Sequence, residues 1–474
     1  MARSIGIDIG TSKICAAVTE SGVTTILKNK DGYTFYPAVL AKTEDGYLVG
    51  NSAVRQTLSR IDSTDYYLKR KLGALEVNDV SERVEIQDKL TVLFKTIRSD
   101  AENALRTVVR DCVVSVPACF RMLSRDCILT SARAAGFESV RLVSEQASAA
   151  LVYSREVKGT ERVMIVDFGG GMLTVSLAEI TGSGADEATV TMLSNAENQN
   201  LGGIEFTRCI VSDVRNRLKE EYHLDVKKDK KTMYRLEQEA GRVKKELSSS
   251  PIATFSINNL AVVDGEEISF EYDYSRVQLE RLSKDLIDEM EMEVQKALVD
   301  ADLEWADISA IILVGGTTRI PAVADRIRRI SELEPSHYLE PQECVAAGAS
   351  MLADTLFRGE DKAVVRDVAP MNVLVKAGEN RTFVAVEKNQ PLPCELKKEL
   401  HSGRLFSQTI QMKIYEGNHL KAEDNVLIRK IGVRAEKESL LEKPASTLLF
   451  KMDESGMLHI EAKGSDLKDT IHIC

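Results

Sequence analysis

The sequence predicts an α/β part made of two lobes, followed by an all-β domain, and three observations carry that prediction. Short apolar strands alternate with helices over residues 1–361, the pattern of an α/β domain. A phrase of strand, aspartate, one further residue and glycine occurs twice, about 160 residues apart, as expected of an internal duplication with one copy per lobe. Near residue 362 the helical period disappears, and the segments beyond it alternate apolar and polar residues at period two.

The elements follow in order. SIGIDIGTSKICAAV reads as strand, turn and strand, and GYLVGNSAVRQTL as strand, turn and helix. DKLTVLFKTIRSDAENALRTV spaces its apolar residues at helical period and leads into the strand CVVSVPACF. LSRDCILTSARAAGF is a helix ended by Gly136. IVDFGGGMLTVSL is the second hairpin, and GIEFTRCIVSDVRNRLKEEY then opens a helix-rich half. KKDKKTMYRLEQEAGRVKKEL is a charged amphipathic helix whose cations read first as a solvated face. VQLERLSKDLIDEMEMEVQKAL is one long helix leading to the strand AIILVGG, after which Pro321 suits the first turn of a helix. TFVAVEKNQPLP, TIQMKIYEG, STLLFKMDESGMLHIEAK and DTIHIC are strands, with turns at Asn389-Gln390-Pro391, Glu416-Gly417-Asn418 and Ser455-Gly456. The predicted division is therefore 1–361 for the lobes, 362–367 for a linker and 368–474 for a β-sandwich.

Composition excludes several functions. The chain has 474 residues, too many for a single core. A net charge of −11 is the wrong sign for a general nucleic-acid binder. No apolar run approaches the roughly 18 residues that a membrane helix needs, and MARSIGIDIG enters a strand with no hydrophobic signal region, so a cytoplasmic protein is expected. The 8 cysteines and 6 histidines are scattered without C-x-x-C or zinc spacing, and no Cys–His nucleophile signature is present.

The hairpins carry the chemistry. Glycine weakens a strand, so three in a row (Gly169, Gly170, Gly171) between two strands point either to a plain turn or to something that comes close to the backbone. N–H groups freed by a glycine turn form an anion nest, and an aspartate at a strand end can hold water around a divalent cation. Asp8 with Gly10, Thr11 and Ser12 makes one such set, and Asp167 with its glycines the other. Two of them facing each other would clamp a polyphosphate and its metal, with Gly315 and Gly316 of LVGGTTR taking the nucleoside end. Read singly, Asp8 and Asp167 are also ordinary turn aspartates, and Lys69 is one cation of a Lys-Arg-Lys run.

Over nearly the whole chain these pieces, in this order, resemble the seventy-kilodalton heat-shock chaperone family of the DnaK type. The match rests on GIDIGTS, PAVLAKTEDGYLVG, LKRKLG, VVSVPACF, DFGGG, NLGGIEF, KKELSSS, LVGGTTRIPAV, PQECVAAGAS, DVAP and KIYEGN. The resemblance implies an actin-like two-lobed ATPase domain followed by an all-β peptide-binding-type sandwich. It implies ATP or ADP with Mg²⁺ as ligand, held by Gly10, Thr11, Ser12, Gly169, Gly170, Gly171, Gly202, Gly203, Lys244, Lys245, Ser248, Gly315, Gly316 and Arg319. Asp8 and Asp167 would hold water around the magnesium, Lys69 would place the attacking water, and Glu145 would assist it. Pro117 and Arg125 resemble residues that relay nucleotide state towards the linker.

The sequence also departs from the family. Met172 stands where a threonine hydroxyl is usual, and Thr174 replaces an aspartate associated with a monovalent cation, which weakens any K⁺ site. At about 1–2 kcal/mol each, these two changes slow hydrolysis roughly ten- to several-hundred-fold. Gly241 and Gln342 replace acidic residues of the adenosine grip, and Gln146 replaces a proline after Glu145. Arg366 puts a charge into the apolar linker, and no helical lid follows the last strand. Two readings stay open. The first is a slow chaperone with weak, fast peptide exchange, served by a J-domain cochaperone and a nucleotide-exchange factor in protein folding and stress response. The second is a regulatory relative that binds ATP structurally and docks another chaperone or the ribosome. A small-molecule kinase of the actin-like superfamily has no place for the sandwich or KIYEGN.

Overall fold

A computed structural model describes residues 3–183, 188–263, 266–337, 340–359, 363–377, 381–400, 409–434, 446–463 and 471–472. The boundary expected at 361/362 and all but two residues of DTIHIC lie outside them.

Apolar, β-branched runs at the two Asp-x-Gly phrases fold as buried strands of two separate sheets. In the first lobe the order is Val23–Ile26, Lys13–Glu20, Arg3–Ile9, Val109–Val116, Ser139–Ser144, with Phe35–Pro37 beside Lys13–Glu20. In the second it is Ala310–Val314, Lys158–Phe168, Leu173–Ser183, Ala188–Asn198, Val364–Arg366. Each sheet centres on an antiparallel hairpin whose first strand also pairs in parallel with a later strand, Val109–Val116 in one lobe and Ala310–Val314 in the other. The duplicated phrase thus occupies equivalent corners of two like sheets.

Two buried helices join the lobes at their base. Cys344–Arg358 packs on strands Arg3–Ile9 and Lys13–Glu20, and Glu145–Tyr153 packs on the second sheet and against Cys344–Arg358. Their Ala-rich faces share one apolar cluster with Val113, Val163 and Ile165, so the two helices pin the sheets to each other along most of their length. Helices Gly203–Tyr222 and Lys230–Leu247 form a further core with the hairpin Ile252–Val263 and Glu266–Ser275.

Two local expectations change. The predicted helix from Val277 is two helices, Arg276–Leu282 and Lys284–Asp300, divided at buried Ser283. The Ser283 hydroxyl donates to the Leu279 carbonyl (2.8 Å), a back-bond to the preceding turn that bends helices. Strands Ile252–Val263 and Glu266–Ser275 lie in the half read as helix-rich, although Ala253, Phe255 and Ile257, and Ile268, Phe270, Tyr272 and Tyr274, alternate with polar residues at strand period; Ala188–Asn198 is a further strand just before that half.

Beyond Pro370 the described residues form two four-stranded antiparallel sheets. One runs Arg381–Val386, Val373–Ala377, Thr409–Glu416, Val426–Arg434, and the other Cys394–Leu400, Ser446–Met452, Leu458–Lys463, Ile471–His472. Val375, Ile414, Leu448, Phe450 and Ile460 share a core, which Met122 of the first lobe joins. Polar contacts reinforce that junction. Both carboxylate oxygens of Glu416 accept the Met122 N–H (3.1 Å each) at the start of helix Met122–Ala134. Arg125, buried, donates to the Ser455 carbonyl (3.0 Å), and Arg141 pairs with Glu454 (2.9 Å).

The preceding segment is itself a strand. Val364–Arg366 pairs in parallel with Thr189–Thr191 at the edge of the second sheet. Period-two alternation turns half-buried Val365 towards the apolar cluster and leaves Val364 and Arg366 exposed, so the Arg366 charge does not interrupt the docked face. Asp367 accepts the Ser144 N–H (2.9 Å), and the Ser144 side chain in turn caps helix Glu145–Tyr153.

Burial pushes the Glu416 carboxyl up to about 7, against the opposing pull of the Met122 N–H, Arg125 and Arg121. The docked arrangement therefore binds a proton that a solvated glutamate has released, and docking weakens as pH rises from about 5 through 7. Protease protection of the C-terminal region, compared between pH 5.5 and 8, should fall in the wild type. The decline should be smaller in Glu416→Gln, and an identical decline in both would exclude this carboxylate as its source.

Candidate functional site

The two hairpin turns meet across one cleft of about 590 Å³, a size suited to a nucleotide-sized ligand. Asp8, Gly10, Thr11, Ser12, Lys69, Glu145, Asp167, Gly169, Gly170, Gly203, Lys244, Lys245, Ser248, Gly315, Gly316 and Arg319 all line it. Gly171 and Gly202 stand behind its wall: Gly171 lies against the Thr11 side chain and Gly202 against the Gly170 carbonyl. A Cβ at Gly170 would collide with Ser12 and one at Gly171 with Thr11, so the lobes approach as closely as they do only with glycine there.

The second hairpin is tied down by its carbonyl groups. Gly169 N–H closes the turn onto the Met172 carbonyl (3.0 Å). The Gly169 carbonyl accepts from Gly203 N–H (3.0 Å) and the Thr317 hydroxyl (2.8 Å), and the Gly170 carbonyl from Ile204 N–H (2.9 Å). Gly203, Ile204 and Thr207 bring the start of helix Gly203–Tyr222 to the same wall.

At the floor sits a buried charge cluster. Helix Leu68–Ala74 delivers Lys69 (6% exposed) to Glu145 (6% exposed), the first residue of helix Glu145–Tyr153, and the two form an ion pair. Asp8 accepts from the Ser115 hydroxyl (3.0 Å), and Asp167 from the Gln146 side-chain amide (3.1 Å). Burial raises both aspartates well above the usual carboxylate range, Glu145 raises them further, and Lys69 pulls them partly back. Burial lowers Lys69, but Glu145, Asp8 and Asp167 outweigh it and hold the ammonium protonated. Three carboxylates thus face one ammonium ion. A divalent cation bringing its own water and phosphate ligands fits this donor set, with Asp8 and Asp167 as the groups to hold it.

The wall around Gly315 and Gly316 is cationic. Lys244 donates to the Gly203 carbonyl (2.5 Å), and burial, with Lys245 adding to it, pushes its ammonium down to about 8. Arg319 pairs with Glu340 (2.5 Å). Gly241 leaves open space beside this wall. Lys13 bonds to the Gln342 side chain across the lobes and stands 4.7 Å from the Phe35 ring centroid. Lys13, Thr317, Glu237 and the tyrosines Tyr66, Tyr67 and Tyr234 also line the cleft, and sequence reasoning had missed them. Lys13 was within reach, two residues beyond Thr11 in GTSK; the tyrosines carried no motif.

Met172 also lines the cleft, yet it is 7% exposed and belongs to the first lobe's apolar cluster. Thr174 is buried opposite Asp167 in the hairpin register. Pro117 and Arg125 are away from the cleft. Pro117 begins the turn after Val109–Val116, and Arg125 lies at the junction with the β-rich region.

A family model described as Hsp70 protein matches residues 4–90 and 74–473. The chain belongs to the Hsp70 family. Members of that family are chaperone ATPases that bind ATP or ADP with Mg²⁺ and work with J-domain cochaperones and nucleotide-exchange factors. No helix among the described residues is long and apolar enough to cross a membrane.

Because the floor aspartates are raised in the ligand-free protein, they withhold stability as pH climbs from about 4 through 8. Asp8→Asn and Asp167→Asn should each raise the melting temperature of the ligand-free protein at pH 7.5 by about 2–4 °C. Each should also shrink the upward shift that Mg-ATP produces. Scanning fluorimetry with and without Mg-ATP reads both, and a lowered ligand-free value would contradict the charge argument.

Proposed function

We propose that this Hsp70 family member binds Mg-ATP between its lobes, hydrolyses it slowly and couples the nucleotide state to a β-sandwich that exchanges extended peptides weakly and fast. The observation that carries the reading is the buried Lys69–Glu145 pair beside Asp8 and Asp167, at the floor of a cleft walled by both glycine hairpins. Phosphoryl transfer is catalysed chiefly by positioning and charge compensation, and this chain supplies both.

Gly10, Thr11, Ser12 and Gly169 to Gly171 shape the polyphosphate seat from both sides. Lys69, held by Glu145, orients the attacking water and offsets developing negative charge. Asp8 and Asp167 hold the hydrated Mg²⁺, which when bound neutralises phosphate charge. Lys244, Lys245, Ser248, Gly315, Gly316 and Arg319 embrace the nucleoside, the lysine and arginine stems covering apolar surface. Residues 1–361, 362–367 and 368–474 act as nucleotide domain, linker and peptide-binding domain. Arg125, donating to Ser455, and Asp367, accepting from Ser144, carry the nucleotide state between them. Pro117 acts with them.

Slowness follows from Met172, which offers the cleft a thioether that cannot donate a hydrogen bond. It follows too from Thr174, which brings no charge for a K⁺ ion. The insertion of Met172 into the first lobe's core favours a second reading, in which ATP is a structural ligand and the protein docks another chaperone or the ribosome.

Single-turnover hydrolysis of pre-bound ATP with Mg²⁺ and K⁺ separates the two. We expect slow cleavage by the wild type and a roughly ten- to several-hundred-fold faster rate in Met172→Thr/Thr174→Asp. ATP left uncleaved by the wild type but cleaved by the double variant would select the structural role. Calorimetry showing no binding of millimolar Mg-ATP would sink both readings.

A further inference from the structure

Lys69 reaches the floor of the cleft, while the next residue, Arg70, turns to the other lobe. Its Nε and Nη2 donate to the Gly171 carbonyl (2.9 and 2.5 Å), and its Nη1 and Nη2 to the two carboxylate oxygens of Glu205 (3.0 and 2.7 Å). Both side chains are mostly buried, Arg70 at 20% and Glu205 at 14% exposure. Two-pronged guanidinium–carboxylate contacts are among the strongest polar interactions a protein makes, and partial burial limits their screening. Gly171 belongs to the second lobe's hairpin, and Glu205 to the first turn of helix Gly203–Tyr222.

Three further features act with this contact. Tyr67, immediately before helix Leu68–Ala74, has φ of 62°, a left-handed conformation that a bulky residue keeps only when its surroundings hold it. Met172, next to Gly171, is inserted in the first lobe's apolar cluster. Arg70 itself is not among the residues that line the cleft. The hairpin that would seat phosphate is therefore fastened to the opposite lobe by one polar and one apolar contact, neither of which involves a ligand.

We propose that Arg70 and Glu205 form an inter-lobe clasp that sets how long a nucleotide stays bound, with Arg70 a positioning residue that ties lobe closure to the seating of Lys69. Separating the lobes breaks all the Arg70 bonds at once and draws Asp167 away from Lys69, so release waits on the clasp. The inference rests on the nucleotide-binding reading above.

Glu205 supplies the means to separate this role from a structural one. Its Oε2 also accepts the Gly202 N–H (2.9 Å) as the cap of its helix. A glutamine there keeps an acceptor for that cap and loses the charge that Arg70 pairs with. Stopped-flow release of a fluorescent ADP or ATP analogue should be at least tenfold faster in Arg70→Met and severalfold faster in Glu205→Gln. Melting temperature in Glu205→Gln should fall by only a few degrees, because the helix cap is kept while the ion pair is lost, and the release rate of Arg70→Lys should fall between Arg70→Met and the wild type. In the double variant Arg70→Met/Glu205→Gln, the glutamine should add nothing further. Single-turnover hydrolysis at saturating ATP should also fall in Arg70→Met, because Lys69 loses its fixed relation to the second lobe. Wild-type release rates in both single variants, or fully additive effects in the double variant, would overturn the clasp. Should Arg70→Met fail to fold, Arg70→Lys and Glu205→Gln decide it alone. Calorimetry on the wild type comes first: absence of binding there removes the nucleotide reading, whereas binding with unaltered release removes only the clasp.

Discussion

Three carboxylates and one ammonium ion are buried where the two lobes meet, and much of the molecule is arranged around that imbalance. Asp8 and Asp167 are the last charged residues of two equivalent strands, so the duplication of the sheet itself brings like charges together. Lys69 offsets part of the repulsion and is held by Glu145. The remainder is a standing demand for positive charge, which a divalent cation meets and water meets poorly in a partly closed cleft. Stability withheld in the ligand-free state would be the source of affinity on the nucleotide-binding reading: the same groups that repel one another there would become attractive partners of a bound cation.

That floor is mechanically connected to the rest of the chain. Glu145 begins the helix that Ser144 caps, and Asp367, just after the docked strand Val364–Arg366, accepts the Ser144 N–H. Helix Met122–Ala134, whose N-terminus Glu416 receives, is also where Arg125 reaches Ser455. The contacts between lobes and β-rich region thus combine backbone groups and buried charges with apolar contacts from both sides, Met122 entering the β-rich core and Met371 and Met457 the first lobe's cluster. Such an interface is sensitive to small displacements, because a buried charge that loses its partner is far costlier than an exposed one.

The cleft combines a buried charge cluster at its floor with contacts that tie its second hairpin to the opposite lobe. Met172 is unsuited to donating a hydrogen bond to phosphate, but its place in the first lobe's core makes it an anchor. On the slow-turnover reading the same side chain would both weaken the chemistry and stiffen the cleft, which joins the two readings of function in Met172.

Much of this was legible in the residues. The Asp-x-Gly phrases, the glycine runs and the Leu-Lys-Arg-Lys segment are local signals, since phosphate seats need backbone freedom and strand-end carboxylates at fixed spacing. By themselves they determined the two-lobed α/β plan and most of the residues around the cleft, and period-two alternation marked the β-rich remainder. The bend at Ser283 escaped because packing decided it, whereas the strands from Ile252 and Glu266 carried a period-two alternation (Ala253, Phe255, Ile257; Ile268, Phe270, Tyr272, Tyr274) that went unread between helical segments. The partnership of Arg70 with Gly171 and Glu205, the burial of Met172 in the opposite lobe, the outward turn of Arg366 and the Glu416 cap on Met122 were decided by tertiary structure alone. Each joins residues 100 or more positions apart, or depends on which face of a strand meets a neighbour. The physical reason is that local spacing prescribes which groups a turn, strand or helix presents, whereas the partner across an interface is chosen only when the lobes close.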